Sequence, residues 1–149
     1  MKITGAAPQI AIPTFLYMFL TIYIHYRTRP AFEITQNHKE TLIIIAIVLI
    51  IIGATMVAAV GRKLLKSFKE GKLMTDGLFS IFRNPMYTAY LLFVIPGICL
   101  FFNSWIVLST VIINFILYQM FIREEYRYLE KKFGKEYQDY LKKVWFKFL

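Results

Sequence analysis

The chain has 149 residues, 58% of them apolar, and a formal net charge of +9. The apolar residues cluster into membrane-length runs rather than spreading as in a soluble domain, and the single cysteine, Cys99, excludes a disulfide framework and a thiolate metal site. The basic charge needs no nucleic acid, because it collects between the apolar runs, where anionic lipid is the simpler partner.

Four runs approach the roughly 20 apolar residues that a bilayer-spanning helix needs. They predict an all-α integral membrane protein, one domain over 1–149, with transmembrane helices at about 8–26, 41–60, 86–102 and 105–122. The first run follows Lys2 but has no small-residue cleavage pattern, so it reads as a helix rather than a signal peptide. It ends in Tyr23-Ile24-His25-Tyr26-Arg27, an interfacial pattern, and Pro13 within it requires neighbouring helices to satisfy the carbonyl it frees. His25 and His38 stand apart from any ligand cluster at metal spacing, so no metal site is expected. The second run carries Gly53, Ala54, Ala58, Ala59 and Gly61, small residues that allow close helix packing.

A polar segment follows, Thr75-Asp76-Gly77-Leu78-Phe79 and then Arg83-Asn84-Pro85-Met86-Tyr87. Gly77 permits a turn with positive φ, and Pro85 extends Asn84 before opening a helix. Taken alone, the segment reads equally as a helix start capped by Asn84, with Arg83 on a lipid phosphate. The third and fourth runs are separated only by Asn103-Ser104, so they must form a tight antiparallel hairpin. The hairpin brings this segment beside the end of the fourth run, Arg123-Glu124-Glu125. There Tyr118, Ile122, Glu125 and Leu129 share one helical stripe, extended inward by Asn114. A carboxylate on an apolar stripe is costly unless it meets a partner, which makes Glu125 the stronger site candidate and Glu124 a salt-bridging residue. Lys and Arg number 15 on the side shared by the termini and the 62–83 loop, against 3 on the other. Both termini, and the amphipathic C-terminal helix, are therefore expected in the cytoplasm, at the inner membrane if the cell is prokaryotic.

Thr75–Phe79, Arg83–Tyr87, Glu124-Glu125, Leu129, Phe133-Gly134 and Tyr137 together resemble the isoprenylcysteine carboxyl methyltransferase family and the related phospholipid N-methyltransferases, over roughly residues 60–145. The resemblance implies a membrane enzyme that uses S-adenosylmethionine, releases S-adenosylhomocysteine, and binds the cofactor within residues 71–137. It implies cofactor contacts from Lys72, Leu73, Met74, Gly77, Phe79, Asn84, Pro85, Tyr87 and Glu125. For the methyl displacement itself the catalytic candidates are Arg83 or Arg123, to hold the substrate, and Glu124, as a base toward a phenol or amine. This chain has Asn84 and Phe79 where members commonly have His and Tyr, and Phe121 where the substrate arginine falls. Arg123 replaces that arginine only if the helix end bends or rotates. The acceptor is expected to be lipophilic and to arrive from the bilayer: an isoprenylcysteine-like carboxylate, or a lipid amine, phenol or thiol. A similar Arg-X-Pro-X-Tyr corner occurs in membrane sterol reductases, which use NADPH and are generally longer. A non-enzymatic lipid-binding helical module is the remaining alternative.

Overall fold

The computed structural model describes residues 6–147, and Lys2 of the charge count lies outside them. The described residues form helices joined by short connections. These are α1 (Ala7–Thr28), α2 (Lys39–Glu70), a one-turn α3 (Leu78–Ile81), α4 (Pro85–Phe101), α5 (Trp105–Phe133) and α6 (Lys135–Lys143). Three of them, α1, α2 and α5, are long and apolar enough to cross a membrane, and α4 is a shorter apolar helix. Their outer faces carry exposed Leu16, Phe19, Ile44, Ile112 and Met120, each more than 60% accessible. An apolar exterior of that kind suits hydrocarbon as solvent.

The second helix was expected to end near residue 60 and continues instead to Glu70. No Pro or Gly interrupts the basic stretch after Gly61, and Gly71, at φ 67°, provides the left-handed stop. At 1.5 Å per residue α2 is about 48 Å long, more than the roughly 30 Å of a hydrocarbon core. Its last turns therefore project past the apolar layer, toward the candidate site.

α4 contains a wide turn at Tyr90–Val94, in which the Ile95 N–H reaches back to the Tyr90 carbonyl. Pro96 is the cause: it lacks an N–H and its ring crowds the preceding turn. Just beyond, Gly97 lies so close to α2 that a Cβ there would meet the Ala46 carbonyl oxygen at 3.0 Å and Ile50 Cγ1 at 2.8 Å. Gly53 answers from the other side, where a Cβ would fall 2.5 Å from Val94. Of the small residues expected to pack, only Gly53 makes this close contact between α2 and α4, whereas Ala54, Ala58 and Ala59 are exposed because they lie on the outer side of α2.

α1 packs on α5, α2 packs on α4, and the α4–α5 hairpin joins the two pairs. Asn103, at φ 51°, makes the hairpin turn. Its amide exchanges hydrogen bonds with the Thr35 backbone at 3.1 and 2.7 Å, lacing the α1–α2 connection to the same end. Along α5 the expected stripe is buried at Asn114, Tyr118 and Ile122, and Thr110 extends it by a turn. Thr14 of α1 meets Asn114 at 3.3 Å, and Tyr17 meets Ser109 at 3.0 Å, so polar rungs tie α1 to α5.

Candidate functional site

At the end of the bundle away from Asn103, the chain between α2 and α4 is folded back by two glycines. After Gly71, the Ser67 hydroxyl donates to the Lys72 carbonyl and the Lys72 N–H returns to Ser67 at 3.2 Å. Gly77 adopts φ 63° and ψ −127°, a conformation that glycine alone takes readily. Asp76 binds Lys63 of α2 at 3.0 Å, and that hydrogen bond holds its carboxyl below the ordinary range. These ties set Leu73, Met74 and Phe79 facing the start of α4.

Glu125 sits opposite, on the inward stripe of α5. Its Oε2 accepts from the Tyr87 hydroxyl at 3.1 Å and from the Ala6 N–H at 3.3 Å, at the beginning of α1. Both donors use the same oxygen, and among the described residues none donates to Oε1. A helix N-terminus also presents partial positive charge, which suits an anion at that place.

Asn84 precedes α4 but does not cap it with its side chain. Its Nδ2 donates instead to the Tyr126 hydroxyl at 2.7 Å, and Tyr126 pairs with the buried Tyr118 hydroxyl at 2.9 Å. The simple capping role is therefore replaced by a bridge from α4 to α5. Arg83 lies against the same ring, its Cζ 3.3 Å from the Tyr126 centroid. Its Nη2 and Nε donate to the Tyr137 hydroxyl of α6 at 2.6 and 3.0 Å. Burial pushes the Tyr137 phenol up from its ordinary value, and the Arg83 guanidinium pulls the other way. Tyr140, one turn on, donates to the Phe79 carbonyl at 2.8 Å. The arginine is thus fixed between two aromatic rings, without a carboxylate partner among the described residues.

These elements enclose a cavity of about 420 Å³. That volume lies within the roughly 300–1,000 Å³ typical of small-molecule sites. Lys72, Leu73, Met74, Phe79 and Arg83 line it, as do Asn84, Pro85, Tyr87 and Glu125. Gly77 shapes the turn behind Phe79 and does not reach the wall. Nor do Arg123 and Glu124, both exposed. α5 runs unbroken from Thr110 to Phe133, and at about 100° per residue Arg123 faces away and Glu124 lies to one side when Glu125 faces in. The bend that would bring Arg123 inward is absent; Arg123 borders a separate outer groove with Phe115 and Met120.

Sequence reasoning missed several contributors. Ala7 and Pro8 of α1 and Gly61 of α2 also line the cavity. Nothing local to those residues announces a contact made across the fold. Tyr137 already stood in the motif read from the sequence; Tyr140, three residues on along α6, and Val144, just past its end, bury with it against Phe79 and Leu129.

The fold and cavity define an all-helical protein with membrane-length helices and a small-molecule pocket at one end of the bundle. The chain belongs to the phospholipid methyltransferase family, whose pattern matches residues 40–136. It is similar to the probable protein-S-isoprenylcysteine O-methyltransferases of Oryza sativa subsp. indica and subsp. japonica. Each is 28% identical over 113 residues, covering 67% of this chain. The chain spans 57% of the length of those relatives. No solved structure matches it.

Proposed function

We propose that this chain transfers a methyl group from S-adenosylmethionine to a lipophilic acceptor at the cytoplasmic face of the membrane. In this reading it crosses the bilayer four times, with α4 as the short span, and has both termini and α6 in the cytoplasm. The observation that carries it is the meeting of Glu125 with the Arg83–Tyr87 corner around one ligand-sized cavity.

The side chains present suit the cofactor. Glu125 offers Oε1 to an ammonium group, while Phe79 and Leu73 offer apolar faces to an aromatic base. When bound, the cofactor supplies an electrophilic methyl group on a sulfonium. Asn84, held by Tyr126, fixes the α4 corner at one wall, and Lys72 through Met74 close another. Arg83 places a guanidinium at the cavity with no described carboxylate paired to it, suited to an anionic acceptor. The exposed position of Glu124 leaves no general base at the place expected of it. An acceptor that is nucleophilic on arrival therefore fits better than a neutral amine or phenol. A carboxylate, with an ordinary pKa of about 4, is ionised at neutral pH and needs only alignment and exclusion of water. The O-methyl transfer in the name of the rice relatives likewise points to an oxygen acceptor.

The test is binding first and transfer second. Purified protein in detergent should be stabilised against heat by S-adenosylhomocysteine, and membranes given radiolabelled S-adenosylmethionine should label an extractable lipophilic molecule. Stabilisation by NADPH in place of S-adenosylhomocysteine would overturn the reading in favour of a reductase. Binding of neither would overturn it in favour of a lipid-binding module.

A further inference from the structure

Beyond α6 the chain does not trail away but returns to the Arg83 corner. Phe146 donates its N–H to the Ile81 carbonyl at 2.8 Å, and its own carbonyl accepts from the Arg83 N–H at 3.1 Å. Its ring stacks on Phe82 with centroids 5.4 Å apart. Phe82 lies three residues before Pro85, where the apolar helix α4 begins. The pairing therefore fixes the tail at the level where the apolar layer starts.

At that level the surface is unusually apolar. Trp145 is 83% exposed, Phe146 53% and Ile81 42%, and no other part of the described chain covers them. Lys143 and Lys147 stand on either side, both exposed. Tryptophan at the end of an apolar helix layer is the usual occupant of a membrane–water interface. Flanking lysines add attraction to a leaflet containing anionic lipid.

We propose that residues 143–147 form an interfacial anchor, seating Trp145 among the headgroups of the leaflet beside the cavity and matching Lys143 and Lys147 to anionic phospholipid. The occupant is the lipid surface itself. This inference rests on the membrane-spanning helices and is independent of methyl transfer, so either can fail alone.

The test uses full-length protein carrying Trp105→Phe, which leaves Trp145 as the sole tryptophan, in phosphatidylcholine vesicles with or without phosphatidylglycerol. Trp145 emission should be blue-shifted from that of tryptophan in water. Lipids spin-labelled near the headgroup should quench it more than lipids labelled at the chain end. Adding phosphatidylglycerol should lower its quenching by acrylamide, and Lys143→Glu with Lys147→Glu, both at exposed positions, should abolish that response while helicity by circular dichroism is unchanged. Emission as red as in water, with acrylamide quenching indifferent to phosphatidylglycerol, would overturn the proposal. That is also the result in pure lipid if the patch serves a soluble protein partner.

Discussion

At the scale of single residues, the site depends on two charged groups held in contrasting ways. Glu125 gives one oxygen to the fold and, in the proposed function, offers the other to the cofactor, so its charge and its geometry can be separated. Glu125→Gln retains an oxygen for Tyr87 and Ala6 but removes the charge. S-adenosylhomocysteine affinity should fall about tenfold or more, on the order of 1.4 kcal/mol, with little change in melting temperature. Calorimetric titration checks it, and an unchanged affinity would remove Glu125 from the site. Arg83 is oriented by the Tyr137 hydroxyl, which takes two of its donors. Tyr137→Phe should therefore raise the KM for an anionic acceptor about tenfold or more, as expected of a lost charge-assisted hydrogen bond worth about 1.5–3 kcal/mol, and leave cofactor affinity near wild type. A fall in both together would mean that Tyr137 supports the fold rather than the arginine. Glu125 was legible in the sequence because an ionisable residue on an apolar stripe requires a partner. The partner from Ala6 was not, since a backbone N–H 119 positions away leaves no trace in residue type.

Helices meet by different rules, and here the decisive contact is between α2 and α4. Gly97 has backbone within 3.0 Å of where a Cβ would lie, whereas Gly61 would meet only the Met86 terminal methyl at 3.8 Å. Gly97→Ala should destabilise the protein by about 1–3 kcal/mol, the usual cost of forcing atoms into a packed interface. Gly61→Ala should be neutral or slightly stabilising, because alanine is the better helix former. Thermal unfolding of the two variants in one detergent tests the pair, and equal melting temperatures would contradict the close contact. The close contact of α2 was readable at Gly53 alone, since Ala54, Ala58 and Ala59 turn outward. The answering Gly97 and the wide turn upstream of Pro96 were not, because their meaning lies in the phase of a helix against its neighbour. The length of α2 was misjudged for a related reason. Hydropathy falls at Arg62, but helical hydrogen bonding has no cause to stop before Gly71.

For the whole molecule, the charge map and the helix pairing describe one polarised object, with the cavity at its basic end. The single cysteine makes this directly testable, since Cys99 is fully buried and should be silent to a membrane-impermeant maleimide. In intact cells, Asn37→Cys should be labelled and Lys143→Cys protected until the membrane is opened. The reverse pattern would invert the orientation, and equal labelling would refute an even number of spans. The position of α1 carries a further consequence. It lies outside the stretch that matches the family, yet it supplies the Ala6 donor to Glu125 and places Ala7 and Pro8 on the cavity wall. Thermodynamically, the first helix is a tethered ligand of the other helices. Severing the chain in the connection between Thr28 and Lys39 would turn that contact into a bimolecular association. By linkage, whatever fills the cavity would then change the affinity of the two fragments by the same factor as the first fragment changes its binding. Complementation between fragments would thus report on the pocket without any turnover at all.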